Sequence, residues 1–426
     1  MKFSVLALTV CLFFAASQAE ARVYLDVFGQ SYKKITIATP PFKGDTAPAT
    51  TQSAMKQLLD KGLDLSGFLI VAPSSVIDAE LRSEGLERKD IRFEGWRSLG
   101  IDLICKGNLQ QNADGLSLDA FLYDSSDGML LFAKKYKGGQ DEWRKIINRL
   151  ADDIVLAITG EKGIMNSKIL FISGGGRSRD AFIASLDGSE MHRLTSYNRL
   201  MVSPALSPDG RYLAFTSYRE GSPHLYVVDV QRGREVWVNR EEGMKNGVTW
   251  VDSKRIAYAH VSGKYSTIYC DNVETKERRL ILRKDGILTS PSFTKDGKKV
   301  IFVSDMYGSA QIFAKDLGNG EIRRLSRSGA YNTSPVVSPK GDLIAFVSRM
   351  GGSFEICVMK MDGSEQRALT NGGINDSPRF SSCGRYIVYS SKNGGKGSIR
   401  LMLLNGDNKR LLNFTGSEEG QPSFFQ

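Results

Sequence analysis

The stretch Ser203-Pro204-Ala205-Leu206-Ser207-Pro208-Asp209-Gly210, continued by RYLAFTS to Ser217, decides the fold because it comes back. It returns at Ser290-Pro291 with Asp296-Gly297 and KKVIFVS, and at Ser334-Pro335 with Lys340-Gly341 and DLIAFVS. It returns again at Ser377-Pro378 with Cys383-Gly384 and RYIVYSS. A degraded copy, Gly247-Val248-Thr249-Trp250 with Asp252-Ser253 and KRIAYAH, stands between the first two. The steps between Pro204, Gly247, Pro291, Pro335 and Pro378 are 43 or 44 residues. Self-similarity at a fixed period of this size is the mark of a repeat architecture.

Each unit has the same internal grammar. A short strand follows the repeated position. A Pro-Asp-Gly type turn comes next, in which Gly takes positive φ and Asp bonds the turn backbone. A second strand follows (Tyr212 to Ser217), then a third of the HLYVVD, QIFAKD or EICVMKMD kind. The unit ends in an Arg-x-Leu-Thr-like strand, as in Arg367-Ala368-Leu369-Thr370. Four short antiparallel strands in a unit of this length describe a propeller blade.

The blade count follows from the spacing. One step beyond Pro378 lands on Pro422 in Gln421-Pro422-Ser423-Phe424-Phe425, a first strand with no chain left to complete its blade. One step before Phe215 lands on Phe171 in KILFIS, a second strand without its first. The carboxyl-terminal strand is therefore expected to join Lys168–Thr195 and finish a sixth blade, leaving no open sheet edge.

The preceding segment, 22–161, does not share the repeat. Strands are expected at Lys34–Ala38, Gly67–Val71, Ile101–Leu109, Leu116–Tyr123 and Met129–Tyr136, and helices at Thr46–Leu63 and Gln140–Thr159. In the second helix Trp143, Ile146, Ile147, Leu150, Ile154 and Ile158 fall on one face. The fold expected is thus a small mixed α/β domain (22–161) followed by an all-β six-bladed β-propeller (162–426) closed by the C-terminal strand.

Lys2, the apolar run Phe3–Ala16 and Ala19-Glu20-Ala21 form a signal peptide (1–21), with Arg22 as the mature start. The apolar run is shorter than the roughly 20 residues a bilayer span requires. Four cysteines follow it, Cys105, Cys270, Cys357 and Cys383; without CxxC spacing they read as small buried hydrophobes. The charge of +10 comes from 57 basic residues scattered among 47 acidic ones, so no basic patch for nucleic acid is visible.

Catalytic constellations are missing from the sequence. It holds no GxSxG elbow, HExxH, Walker A loop or GxGxxG. His192, His224 and His260 sit in different repeats with no ligand spacing, and Gly174-Gly175-Gly176 reads as a turn rather than a phosphate cradle. No catalytic residue, cofactor or metal ligand is assigned. The alternative reading, an exported propeller hydrolase or carbohydrate-binding protein, would use the central channel as a pocket.

Loops on rigid scaffolds carry binding. Residues just upstream of each repeated Pro crowd one rim of the ring: Met201, Val202, Lys245, Asn246, Leu288, Thr289, Asn332, Thr333, Asn375, Asp376, Glu418 and Glu419. That mixed polar set is the candidate partner site. Bare loop conformation is the competing explanation.

From Arg22 onward the chain resembles the TolB family, periplasmic components of the Tol–Pal cell-envelope system. The SPDG-type repeats carry the resemblance, with Gly95-Trp96-Arg97-Ser98-Leu99-Gly100-Ile101-Asp102 followed by Gly107. It implies a monomeric, non-enzymatic periplasmic protein that supports outer-membrane integrity and constriction during cell division. It further implies that the peptidoglycan-associated lipoprotein Pal binds at the channel mouth and the inner-membrane protein TolA at the mature amino terminus. The second site would fall on Arg22–Tyr32, including Arg22, Val23, Tyr24 and Asp26. A plain first edge strand is the other reading of that segment.

Overall fold

The computed structural model describes residues 34–44, 46–176 and 178–425. The expected signal peptide and the segment Arg22–Tyr32 lie outside them.

The first domain is a five-stranded sheet with helices against it. Its elements are β1 (Ile35–Ala38), α1 (Ala49–Ser66), β2 (Leu69–Val71), α2 (Ala79–Ser83), α3 (Phe93–Ser98), β3 (Leu103–Asn112), β4 (Gly115–Asp124), β5 (Leu130–Gly138) and α4 (Trp143–Thr159). The sheet order is β2-β1-β3-β4-β5. β1 runs parallel to β2 and β3, and β3, β4 and β5 form an antiparallel meander. Helix α4 buries Ile146, Ile147, Leu150, Ile154 and Ile158, as its spacing requires, and Trp143 is only half-buried. Both long helices stop at a left-handed Gly, Gly67 (φ 79°) and Gly160 (φ 71°), where a side chain would be strained.

The sequence reading places no helix at α2 or α3, and α3 carries the start of the Gly95–Asp102 segment. Trp96 in α3 is fully buried and donates its indole N–H to Glu84 at 3.0 Å. Glu84 also meets Lys106 at 3.2 Å beneath it. Arg97 donates to the carbonyl of Ser125, and Asp102 accepts the Thr36 amide at 2.8 Å. The segment is a clasp that ties α3 to the sheet.

The second part is a β-propeller. Four four-stranded sheets stand alone: Met201–Leu206 through Arg234–Asn239, Met244–Trp250 through Arg278–Asp285, Leu288–Phe293 through Ile322–Arg324, and Lys168–Gly175, Ser178–Ser185 and Met191–Arg193 with Glu418–Phe425. In the last, Glu418–Phe425 pairs antiparallel with Lys168–Gly175, from Glu418↔Gly174 to Phe425↔Lys168.

Hydrogen bonding here departs from six separate sheets. The strands from Asn332 to Leu412 form one eight-stranded sheet, so four sheets rather than six are free-standing. The join is local. The Phe354 amide donates to the carbonyl of Gly373 at 3.0 Å, and Phe354 forms a parallel bridge with Ile374, the first residue of the next inner strand.

The turn chemistry is as the repeat demands. In Ser207–Gly210 the Ser207 hydroxyl donates to Asp209 at 2.6 Å, Asp209 accepts the Arg211 amide at 3.2 Å, and Gly210 takes φ 72°. Gly174 and Gly175 end the strand Lys168–Gly175, and Gly176, at φ 61°, stands in the hairpin turn that follows. The three histidines stand in three different sheets. All four described cysteines are free, three of them buried, and burial pushes the thiols of Cys105 and Cys357 up to about 12 and that of Cys270 to about 11.

The α/β domain docks on the end of the propeller that carries these turns. Phe68 meets Tyr386 edge to face at 6.0 Å inside one shared apolar core. The Tyr386 hydroxyl donates to Ser66 O at 3.0 Å, Arg385 to Thr159 O at 2.8 Å, and Arg410 and Asp64 pair at 3.0 Å. The inner strands begin at the other end.

Candidate functional site

Six inner strands surround the channel: Met201–Leu206, Met244–Trp250, Leu288–Phe293, Asn332–Val337, Ile374–Phe380 and Glu418–Phe425. Each lies beside the next, and Glu418–Phe425 lies beside Met201–Leu206. They repeat one backbone event. Ser203, Gly247, Ser290, Ser334, Ser377 and Gln421 all take left-handed φ, between 49° and 60°. At each, pairing with the second strand shifts register. This is a β-bulge, a device that re-aims side chains. For a non-glycine residue such a backbone costs on the order of 1–2 kcal/mol, and it recurs around one cavity. Gly247 thus aligns with the serines, and Val248 rather than Gly247 holds the proline position.

Alternation along the strand splits the expected rim set in two. One half is buried and structural. Met201 is packed in an apolar cluster. Lys245 is fully buried and donates to the carbonyls of Gly243, Glu241 and Pro223. Burial pushes its ammonium below the usual lysine range, and Glu241 opposes this. Asn332 donates to Gln311 at 2.7 Å and to Ser328 O at 2.9 Å. Asn375 donates to the carbonyls of Phe354 and Gly372, both at 3.0 Å. Glu419 is buried and accepts the Phe414 amide at 3.0 Å. The four polar ones fasten their inner strands to neighbouring loops, Met201 is held by packing, and none of the five presents a head group to a partner.

The other half faces the channel. Asn246, Thr289 and Asp376 line a cavity of about 260 Å³, and Thr333 holds the same register, half-buried. Thr289 donates to Asn246 at 2.7 Å, and Asp376 accepts from Ser334 at 3.0 Å. Arg22, Val23, Tyr24 and Asp26 lie outside the described residues. Among the described residues no three His, Cys, Asp or Glu side chains are grouped as metal ligands.

Sequence reasoning missed an apolar ring. The residue before each buried cap is Leu200, Met244, Ile287, Tyr331, Ile374 and Glu418. Met244, Ile287, Tyr331 and Ile374 are 38%, 46%, 40% and 55% exposed. Tyr307, 71% exposed in the loop after Lys299–Ser304, joins them on this end. Five apolar residues in register would have been a legible signal, but the reading stopped one residue short.

The family comparison takes up the same two parts. The TolB beta propeller domain matches residues 155–425, and the TolB amino-terminal domain matches residues 23–131. The chain belongs to the TolB family. It is 34% identical to a TolB homolog of Chlorobium chlorochromatii over 262 residues, 61% of this chain and 58% of that protein. It is 30% identical to the TolB homolog of Chlorobium luteolum over 286 residues, 67% and 65% of the two. The matched stretches span less than two thirds of these relatives' lengths. The crystal structure of TolB from Acinetobacter baumannii superposes with a TM-score of 0.83 at 24% identity, covering 92% of this chain and 97% of that one. This likeness is one of fold and runs over most of both chains.

Proposed function

We propose that this TolB-family chain is a non-enzymatic periplasmic scaffold of the Tol–Pal system whose free propeller end binds a Pal-type lipoprotein. One observation carries the reading. The α/β domain covers the turn-bearing end, and the opposite mouth presents a ring of exposed apolar residues around polar channel walls. Interface cores of this kind, apolar and aromatic anchors with a polar surround, are what protein partners bury. The mature terminus at Arg22–Tyr32 is the proposed TolA-type contact, and support of the outer membrane during division is the proposed role. The protein acts as a monomer, exported after cleavage of 1–21.

The architecture behind this reading is an α/β domain at 22–161 and a six-bladed propeller at 162–426. Six left-handed bulge positions favour six units, and the eight-stranded sheet holds twice four strands. The pairing of Glu418–Phe425 with Lys168–Gly175 favours closure of the ring by the C-terminal strand.

The test is calorimetric titration with a soluble Pal-type domain. Ile374→Asp and Thr289→Arg are expected to weaken binding by about tenfold or more, the scale of a lost interface anchor, with circular dichroism unchanged. Asn332→Arg is not a clean probe, because Asn332 is buried in hydrogen bonds to Gln311 and Ser328. Parent-like affinity in both variants would move the interface elsewhere.

A further inference from the structure

We propose that the channel interior is a binding site for a single carboxylate group, built on Arg379. The bulge places the second residue after each left-handed position on the same level of the inner strands. Those residues are Ala205, Thr249, Ser292, Val336, Arg379 and Ser423, paired with Ala214, Ala257, Ile301, Ala345, Val388 and Leu170. Five are small. Arg379 alone is long and charged, and it lines the channel cavity of about 260 Å³.

Its guanidinium is poorly partnered. One nitrogen donates to the carbonyl of Pro378 at 3.0 Å, and among the described residues no carboxylate lies within 4.0 Å of it. The side chain is enclosed by protein yet keeps part of its surface open to the channel. Burial pushes the group below the usual arginine range, and Asp376 opposes this from nearer the mouth. An arginine keeps its proton in a protein, so the channel holds a desolvated cation with unused donors. A planar fork of N–H groups matches a carboxylate in bidentate fashion. Thr249 and Ser292 line the same cavity, and the Ser292 hydroxyl accepts the Val337 amide at 3.1 Å. The cavity suits one small group rather than a drug-sized ligand.

The carboxylate can come from a free small organic acid or from a partner side chain reaching in through the mouth. The proposal does not rest on the mouth reading, because its probe needs no protein partner. The test is calorimetry of the mature protein with sodium acetate at fixed chloride and ionic strength, and in parallel with a capped Gly-Glu-Gly tripeptide. Saturable acetate binding with a dissociation constant below about 10 mM is expected. Arg379→Met should weaken it by about tenfold or more, the scale of a charged hydrogen bond. Arg379→Lys should retain part of it, and Asp376→Asn should strengthen it by removing a like charge. Acetate binding alone assigns a free acid; binding of both probes assigns a partner's side chain. Absence of saturable binding by either probe, or an Arg379→Met variant that remains folded and binds as the parent does, overturns the proposal.

Discussion

At the scale of single residues, the Thr or Ser that closes several of the units explains its place in the sequence. The Thr370 hydroxyl receives the Ile356 amide at 2.9 Å and donates to Glu355 at 2.6 Å; Glu355 also accepts the Gly372 amide at 2.6 Å. In the preceding unit Ser326 and Gln311 make the same lock, and Asn332 donates to Gln311 at 2.7 Å. Burial alone would raise the Glu355 carboxyl, but hydrogen bonds from Ser353, Thr370, Gly372 and Asn375 outweigh it and hold the group below its usual 4.5. A carboxyl lowered in the folded state stabilises fully above its unfolded value, and that stabilisation is lost as pH falls through the folded one. The thermal midpoint of the parent should therefore drop more steeply below about pH 4.5 than that of Glu355→Gln, in which Gln311 shows the neutral lock already at work. Parallel melting curves from pH 6 to pH 3 would contradict this.

At the scale of elements, the readable parts are those with a strong period. The second strands, the Pro-Asp-Gly turns and helix α4 fall where spacing puts them, because one apolar face per turn or per two residues leaves a clear pattern. The helices α2 and α3 escaped because each spans six residues or fewer, too short for periodicity. The bulge in every inner strand escaped for another reason: positive φ at serine leaves no mark in composition, and it changes which residues face the channel. The terminal strand Glu418–Phe425 is held by its ladder to Lys168–Gly175, by Phe424 against the shared core and by Phe425 over Gly210. Both aromatics are half-buried rather than buried, so the ladder carries much of the effect. A chain ending at Gly420 should lose on the order of 3 kcal/mol or more and expose an unpaired edge. The expected outcome is a clear fall in the thermal midpoint with aggregation. A truncated chain as stable as the parent would show that the ladder contributes nothing.

At the scale of the whole molecule, the arrangement of the two domains decides which surface is available. The α/β domain covers one end of the propeller through Phe68–Tyr386 and the bonds around it, and the bulged inner strands open at the other. The sequence revealed that the rim would gather residues far apart in the chain. It could not reveal which of each adjacent pair points outward, because that depends on where the bulge sits in the strand. Lys245, Asn332, Asn375 and Glu419 look like surface residues by type and are buried, whereas Met244, Ile287, Tyr331 and Ile374 look like core and are exposed. Hydrogen exchange of the mature protein, with and without a soluble Pal-type domain, tests the assignment of the mouth most directly. The account predicts added protection at the strand starts around 244–246, 287–289, 331–333 and 374–376, with the turns at 207–210, 294–297 and 338–341 unchanged. Protection confined to those turns or to the α/β domain, with the strand starts unaffected, would contradict it.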